Sequence, residues 1–123
     1  MDTFDFEDGL GPVLAHRHIN PDGSVGGWVA DTARVAVTAY VGIRASVSGN
    51  ARVSDNAWVS GSARVFGNAQ VSGKACVYGD ARVSGSAQVF GIARVSGKAC
   101  VSGNAQVFGI AQVSGNAQVS DNS

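Results

Sequence analysis

The sequence predicts an all-β chain wound as a triangular solenoid, its short parallel strands stacked coil on coil. Three observations predict it. From Gly27 to Asn122 the chain divides into sixteen six-residue units without an insertion. The third residue of every unit is valine, from Val29 to Val119, and the first is alanine in all but the opening unit, which has Gly27. The six letters AQVFGI occur at 87–92 and again at 105–110, eighteen residues later.

Each unit makes sense as a strand and a corner. Alanine and valine two residues apart share one face of an extended chain. Valine is β-branched and suits that backbone. The residue between them points outward and is Arg, Gln, Trp, Tyr, Ser or Cys. The Ser-Gly-Asn or Ser-Asp-Asn that follows supplies a turn tolerant of left-handed φ. A strand this short cannot bury its apolar face alone, but it can if it stacks on the strand one coil earlier. Three units then make a triangular coil of eighteen residues, and the sixteen units make about five coils. At ~4.8 Å per layer the rod is roughly 25 Å long. Its core is a narrow valine ladder lined by alanine. Burying each valine is worth about 1.5–3 kcal/mol, against a chain entropy of similar total size. No segment shows the period of an amphipathic helix.

The organisation that follows is a non-repetitive acidic cap segment, residues 1–26, and a repeat region, residues 27–123. Phe4, Phe6, Leu10, Val13, Leu14 and Ile19 are the candidates to cover the first coil, with His16, His18 and Trp28 in the same region. His16 and His18, two apart on a strand, would point the same way, as a metal pair does. No cysteine lies near them, and "NPDG" at 20–23 is a turn signal, so they read as parts of the cap, and no metal or other cofactor is expected. At the far end the last coil has open strand edges, which Asp121 and Asn122 or another chain would cover.

Residues eighteen apart must stack on one face. The first outward ladder is Trp28, Ser46, Arg64, Arg82, Cys100, Gln118. The second is Arg34, Arg52, Gln70, Gln88, Gln106, and the third Tyr40, Trp58, Cys76, Arg94, Gln112. Stacked glutamines are expected to bond through their amides. Stacked arginines repel unless an anion intervenes. The two AQVFGI units bring Phe90 beside Phe108 and Ile92 beside Ile110, flanked by Gln88 and Gln106. That apolar patch is the leading candidate for a protein interface, since contiguous apolar surface is seldom left bare. Tyr40, Trp58, Arg34 and Arg52 form a possible second surface.

The unit, a branched apolar residue followed four places later by a small one, resembles the hexapeptide repeat of left-handed parallel β-helix proteins. The resemblance covers residues 27–122 and implies a left-handed coil. Hexapeptide β-helices include acyltransferases and γ-type carbonic anhydrases, but their sites do not carry over. The acyltransferases use a histidine within or protruding from the coils, and the carbonic anhydrases need three histidine ligands. This sequence has no histidine after His18 and no protruding loop. The near-identical units and the "GGWV" at 26–29 also look like small hexapeptide-repeat proteins encoded by bacteria and their phages. That resemblance implies stoichiometric binding, for instance as an inhibitor of a host enzyme or defence complex.

Charge narrows the remaining classes. Residues 1–26 carry Asp2, Asp5, Glu7, Asp8 and Asp22 against Arg17, whereas residues 27–123 carry eight Lys or Arg against four Asp. The cations are split over all three faces, which argues against nucleic acid, whose backbone needs a dense basic stripe. Only two cysteines occur, Cys76 and Cys100, and they fall on different faces, a usage that suits a reducing cytosol. The opening "MDTFDFEDGL" reads as no signal peptide, and no apolar run approaches a membrane span. The expected function is therefore a non-enzymatic, cytoplasmic protein-binding solenoid without cofactor, forming a homodimer or homotrimer and docking on a protein partner. The competing class is a structural spacer or virion component.

Overall fold

A computed structural model of the protein describes residues 3–5 and 12–121. The chain opens with β1 (Thr3–Asp5), β2 (Pro12–Ile19) and β3 (Val25–Ala30). After that every strand begins on the second and third residues of a six-residue unit, where an outward residue alternates with an inward valine, and two of them run two residues further. β3, β6 (Ser46–Val47), β9 (Arg64–Val65), β12 (Arg82–Val83), β15 (Cys100–Gly103) and β18 (Gln118–Asp121) stack as the first face. The second face is β4 (Arg34–Val35), β7 (Arg52–Val53), β10 (Gln70–Val71), β13 (Gln88–Val89) and β16 (Gln106–Val107). The third is β5 (Tyr40–Val41), β8 (Trp58–Val59), β11 (Cys76–Val77), β14 (Arg94–Val95) and β17 (Gln112–Val113). The protein is an all-β solenoid with eighteen residues to the coil and about five coils.

Within the solenoid the strands pair in parallel and in the register that the sequence spacing requires, for example Arg34 with Arg52 and Gln88 with Gln106. Each unit ties to the next coil by its own backbone. The N–H of Arg52 donates to the carbonyl of Ala69 at 2.9 Å, that of Ser54 to Val71 at 2.9 Å, and that of Asn56 to Gly73 at 2.9 Å. The inward residues form one continuous core in which the valines from Val41 through Val101 are at most 1% exposed.

At the corners, glycine is required twice over. Gly97 has φ +65°, and a Cβ there would lie 2.8 Å from the backbone nitrogen of Gly115 in the next coil. Asp55 is the one non-glycine at positive φ among the described residues. Asp is among the few non-glycine residues that tolerate this region, and its carboxylate Oδ2 accepts the N–H of Gly73 in the next coil at 3.1 Å, tying the corner to the one above. The first coil has no glycine at the fifth slot of its units, which hold Asp31, Val37 and Ile43. There the hydroxyls of Thr32 and Thr38 donate to the carbonyls of Gly49 and Asp55 in the coil above.

The N-terminal cover differs from the expectation. β2 runs antiparallel to β3, and β1 antiparallel to β2, extending the first face. Phe4 and Val13 pack against Ala15, Ala30 and Trp28. Leu14 and Ile19, however, face solvent, because they fall on the outward side of β2; Phe6 and Leu10 lie outside the described residues, as does Asn122. Polar side chains finish the third face instead. His18 Nε2 donates to the carbonyl of Ala39 at 2.8 Å, and Asn20 Oδ1 accepts the N–H of Val41 at 2.9 Å. Both side chains are buried. They bond the edge of β5 as a further strand would, and so satisfy groups that are costly to leave unpaired. Replacing Asn20 by alanine should therefore cost about 1–3 kcal/mol, the penalty for an orphaned buried N–H. A urea midpoint equal to that of the wild type would show that Val41 does not depend on it.

Candidate protein interface

Phe90 and Phe108 occupy the fourth slot of their units, where the chain leaves the strand. Ile92 and Ile110 occupy the sixth, on the corner between the second and third faces. β13 and β16 pair in register, so the two units stand directly one above the other. The phenyl rings stack with centroids 5.3 Å apart and planes 8° apart. Phe90 is half-buried, while Phe108, Ile92 and Ile110 are 55%, 53% and 79% exposed. Val89 and Val107, on the strands that lead into the two phenylalanines, are buried in the core. Earlier residues in the same two columns are Ala36, Ser54 and Ser72, and Thr38, Asn56 and Lys74. In these two columns the bulky apolar residues are thus confined to the last two coils, while at the same corner of the first coil Val37, in the fifth slot, is exposed. Stacking of the phenyl rings contributes about 0.5–1.5 kcal/mol within the chain, but the isoleucines gain no such contact.

The second candidate surface divides into two. On the third face Tyr40 and Trp58 stack at 4.2 Å with 25° between their planes. They line a groove of about 320 Å³ with Pro21, Asp22, Thr38 and Asn56. On the second face Arg34 and Arg52 line a separate groove of about 550 Å³ with Ser54, Asp55, Gln70 and Ser72. Arg64 and Arg82 stack on the first face and Arg94 stands on the third, so no face gathers a long basic stripe. The expected amide ladder is not formed: Gln70, Gln88 and Gln106 stack in register, but no hydrogen bond joins their side chains. They lie on the outer surface, where water competes for the amides.

His16 and His18 do not face the same way. The β2–β3 register shifts between Arg17 and Ile19, and this bulge turns the two rings apart. His16 is exposed and its Nδ1 lies 3.0 Å from Asp31 Oδ1, while His18 is turned inward onto Ala39. Trp28 stacks on Phe4 at 5.1 Å, and the Arg17 guanidinium lies 5.0 Å from its ring centroid. Among the described residues, no cluster of three or more His, Cys, Asp or Glu is placed to hold a metal. Both cysteines are free thiols, Cys76 on the third face and Cys100 on the first. Among the described residues, no helix is long and apolar enough to cross a membrane.

Sequence reasoning took Asn20 only as a turn former, and Asp22 as part of that turn, as one of the acidic residues of the cap and as the further ligand a histidine metal site would need; it missed the bonds both make. Ser24 links them: Asn20 Nδ2 donates to Ser24 Oγ at 3.1 Å, and Ser24 gives its hydroxyl and its N–H to Asp22 Oδ1 at 2.6 and 2.9 Å. Those two bonds, the hydroxyl first, hold the Asp22 carboxyl below its ordinary range. The placement of Thr38 beside Tyr40, and of Asn56 beside Trp58, was available in the spacing. The sixth residue of one unit and the second of the next flank the same corner.

Coils, ladders and corners together define a β-solenoid repeat protein. The chain is similar to the YdcK beta solenoid repeat, whose family model matches residues 45–61 and 75–91. Each match opens on the alanine of a unit and runs one residue short of a full coil. No curated protein and no solved structure matches the chain.

Proposed function

We propose that the protein is a non-enzymatic, cytosolic binding protein. It associates with a second copy of itself and docks on a protein partner through the corner that carries Phe90, Ile92, Phe108 and Ile110. The observation that carries this reading is the exposure of those side chains in two successive coils, where every earlier residue of both columns is small or polar. Gln88 and Gln106 flank the apolar centre as a polar rim, the usual anatomy of an interface. The division of the arginines among three faces favours a protein over a nucleic acid. His18 supports a structural role for its part of the cap, because its ring is buried and bonds the carbonyl of Ala39.

The test is the double variant Phe108→Asp/Ile110→Asp. Both side chains lie on the surface, so the variant should keep the circular dichroism and urea midpoint of the wild type. Light scattering across a concentration series should find wild type as a dimer or trimer and the variant as a monomer. Cross-linking in a host lysate should capture a partner with wild type only. A monomeric wild type whose captured partners are all retained by the variant would refute the interface.

A further inference from the structure

We propose that the groove lined by Asp22, Tyr40 and Trp58 binds a weakly hydrated organic cation, such as the guanidinium of an arginine side chain or an alkylammonium group. The proposal is independent of the apolar corner.

The groove joins an anion to an aromatic wall. Tyr40 and Trp58 present a stacked pair, with Trp58 48% exposed, and Asp22 stands beside them on the turn that enters β3. Aromatic rings attract cations through their quadrupole, and guanidinium or alkylammonium groups lose less hydration than a bare ammonium on contact. A neighbouring carboxylate adds a charge of the right sign. Thr38, Asn56 and Pro21 complete the lining, and no Lys or Arg is among the lining residues. Lys74 and Arg94, further along the same corner, lie outside it.

The carboxylate is built in position. Asp22 is held by both donors of Ser24, Ser24 by Asn20, and Asn20 by the N–H of Val41, the residue after Tyr40. This chain of bonds ties the turn to the strand that carries the aromatic wall, so little order has to be imposed when a ligand arrives. The volume of about 320 Å³ suits a single side chain or small head group.

The protein's other tryptophan shows the arrangement in complete form. Trp28 has an aromatic ring stacked on it, Phe4, and a guanidinium over it, that of Arg17. Trp58 has the stacked ring and a carboxylate at hand, and among the described residues no cation lies over it.

The experiment is a nuclear magnetic resonance titration of the full chain, following the two indole N–H signals and the amides of Thr38 and Asn56. The probes are N-acetyl-arginine methylamide, tetramethylammonium, the neutral N-acetyl-citrulline methylamide, and glucose. A saturable shift of the Trp58 indole and both amides with either cation, and none at Trp28, is the expected result. The tighter cation identifies the class of ligand. Asp22→Asn keeps the acceptor for Ser24 and removes the charge, and should weaken binding about threefold to fivefold, as expected for an exposed charge pair. In Trp58→Leu the shifts of the Thr38 and Asn56 amides should vanish. Equal shifts with citrulline or glucose, indifference to Asp22→Asn, or no saturable shift with either cation would overturn the proposal.

Discussion

Gly27→Ala should detach the N-terminal hairpin and cost about 3 kcal/mol, the upper range for forcing a methyl group into packed structure. The repeat itself argues the opposite, since alanine fills the same slot in the fifteen other units. The difference lies in how the chain arrives. Elsewhere it turns a corner into that slot, but at Gly27 the strand β3 runs straight through from Val25 to Ala30. A Cβ on Gly27 would then lie 1.9 Å from the carbonyl oxygen of Ala45 and 2.5 Å from that of Gly42. Both obstacles are backbone, where the first coil passes into the second, and no side-chain rotation relieves them.

Urea denaturation followed by circular dichroism measures the loss, and two further glycines calibrate it. Gly97 and Gly115 share φ near +65°, so alanine at either bears the left-handed penalty of about 1–2 kcal/mol. Only Gly97 adds a steric conflict, 2.8 Å to Gly115; around Gly115 no described atom lies within 4 Å. The expected order of destabilisation is Gly27→Ala, then Gly97→Ala, then Gly115→Ala. If Gly27→Ala unfolds with Gly115→Ala, the hairpin does not press on the first coil as described.

Val83→Ala should cost about 2–3 kcal/mol, from the lost burial of its methyl groups and the cavity they leave. Val83 is fully buried in a middle coil, with Val65 and Val101 directly below and above it. The neighbouring backbone is locked in the coil-to-coil hydrogen bonds and cannot close the gap. Val113→Ala, in the last coil and only partly buried, should cost about 1 kcal/mol. Each coil touches only its neighbours, so a defect in mid-rod also weakens the coupling between the two halves. The Val83→Ala transition should broaden in urea, whereas that of Val113→Ala should stay as sharp as wild type. Equal losses for the two variants would mean that the core is not the layered ladder described.

Much of this was legible because the repeat is rigid. A valine every six residues leaves one register available, so the stacking of Phe90 on Phe108, Tyr40 on Trp58 and Arg34 on Arg52 follows from counting. The hand of the coil did not follow from counting and rested on the resemblance alone. The cap was legible only as a segment. Its apolar residues were expected to do the covering, yet Leu14 and Ile19 face outward while His18 and Asn20 point in. Apolarity ranks residues by their cost in water, and the edge of a strand asks instead for a donor and an acceptor in fixed positions.

By itself the sequence determined the all-β solenoid, its eighteen-residue coil, and the residues of each outward ladder. These depend on periodicity, which every unit states again. Only the tertiary structure decided that the Phe and Ile corner stands open, that Gly27 cannot be alanine, and that Asp22 is held at an aromatic wall. The first depends on how far side chains stand out at a corner, which periodicity does not rank; the other two depend on single atoms brought together across about twenty residues where the non-repetitive entry segment meets the solenoid.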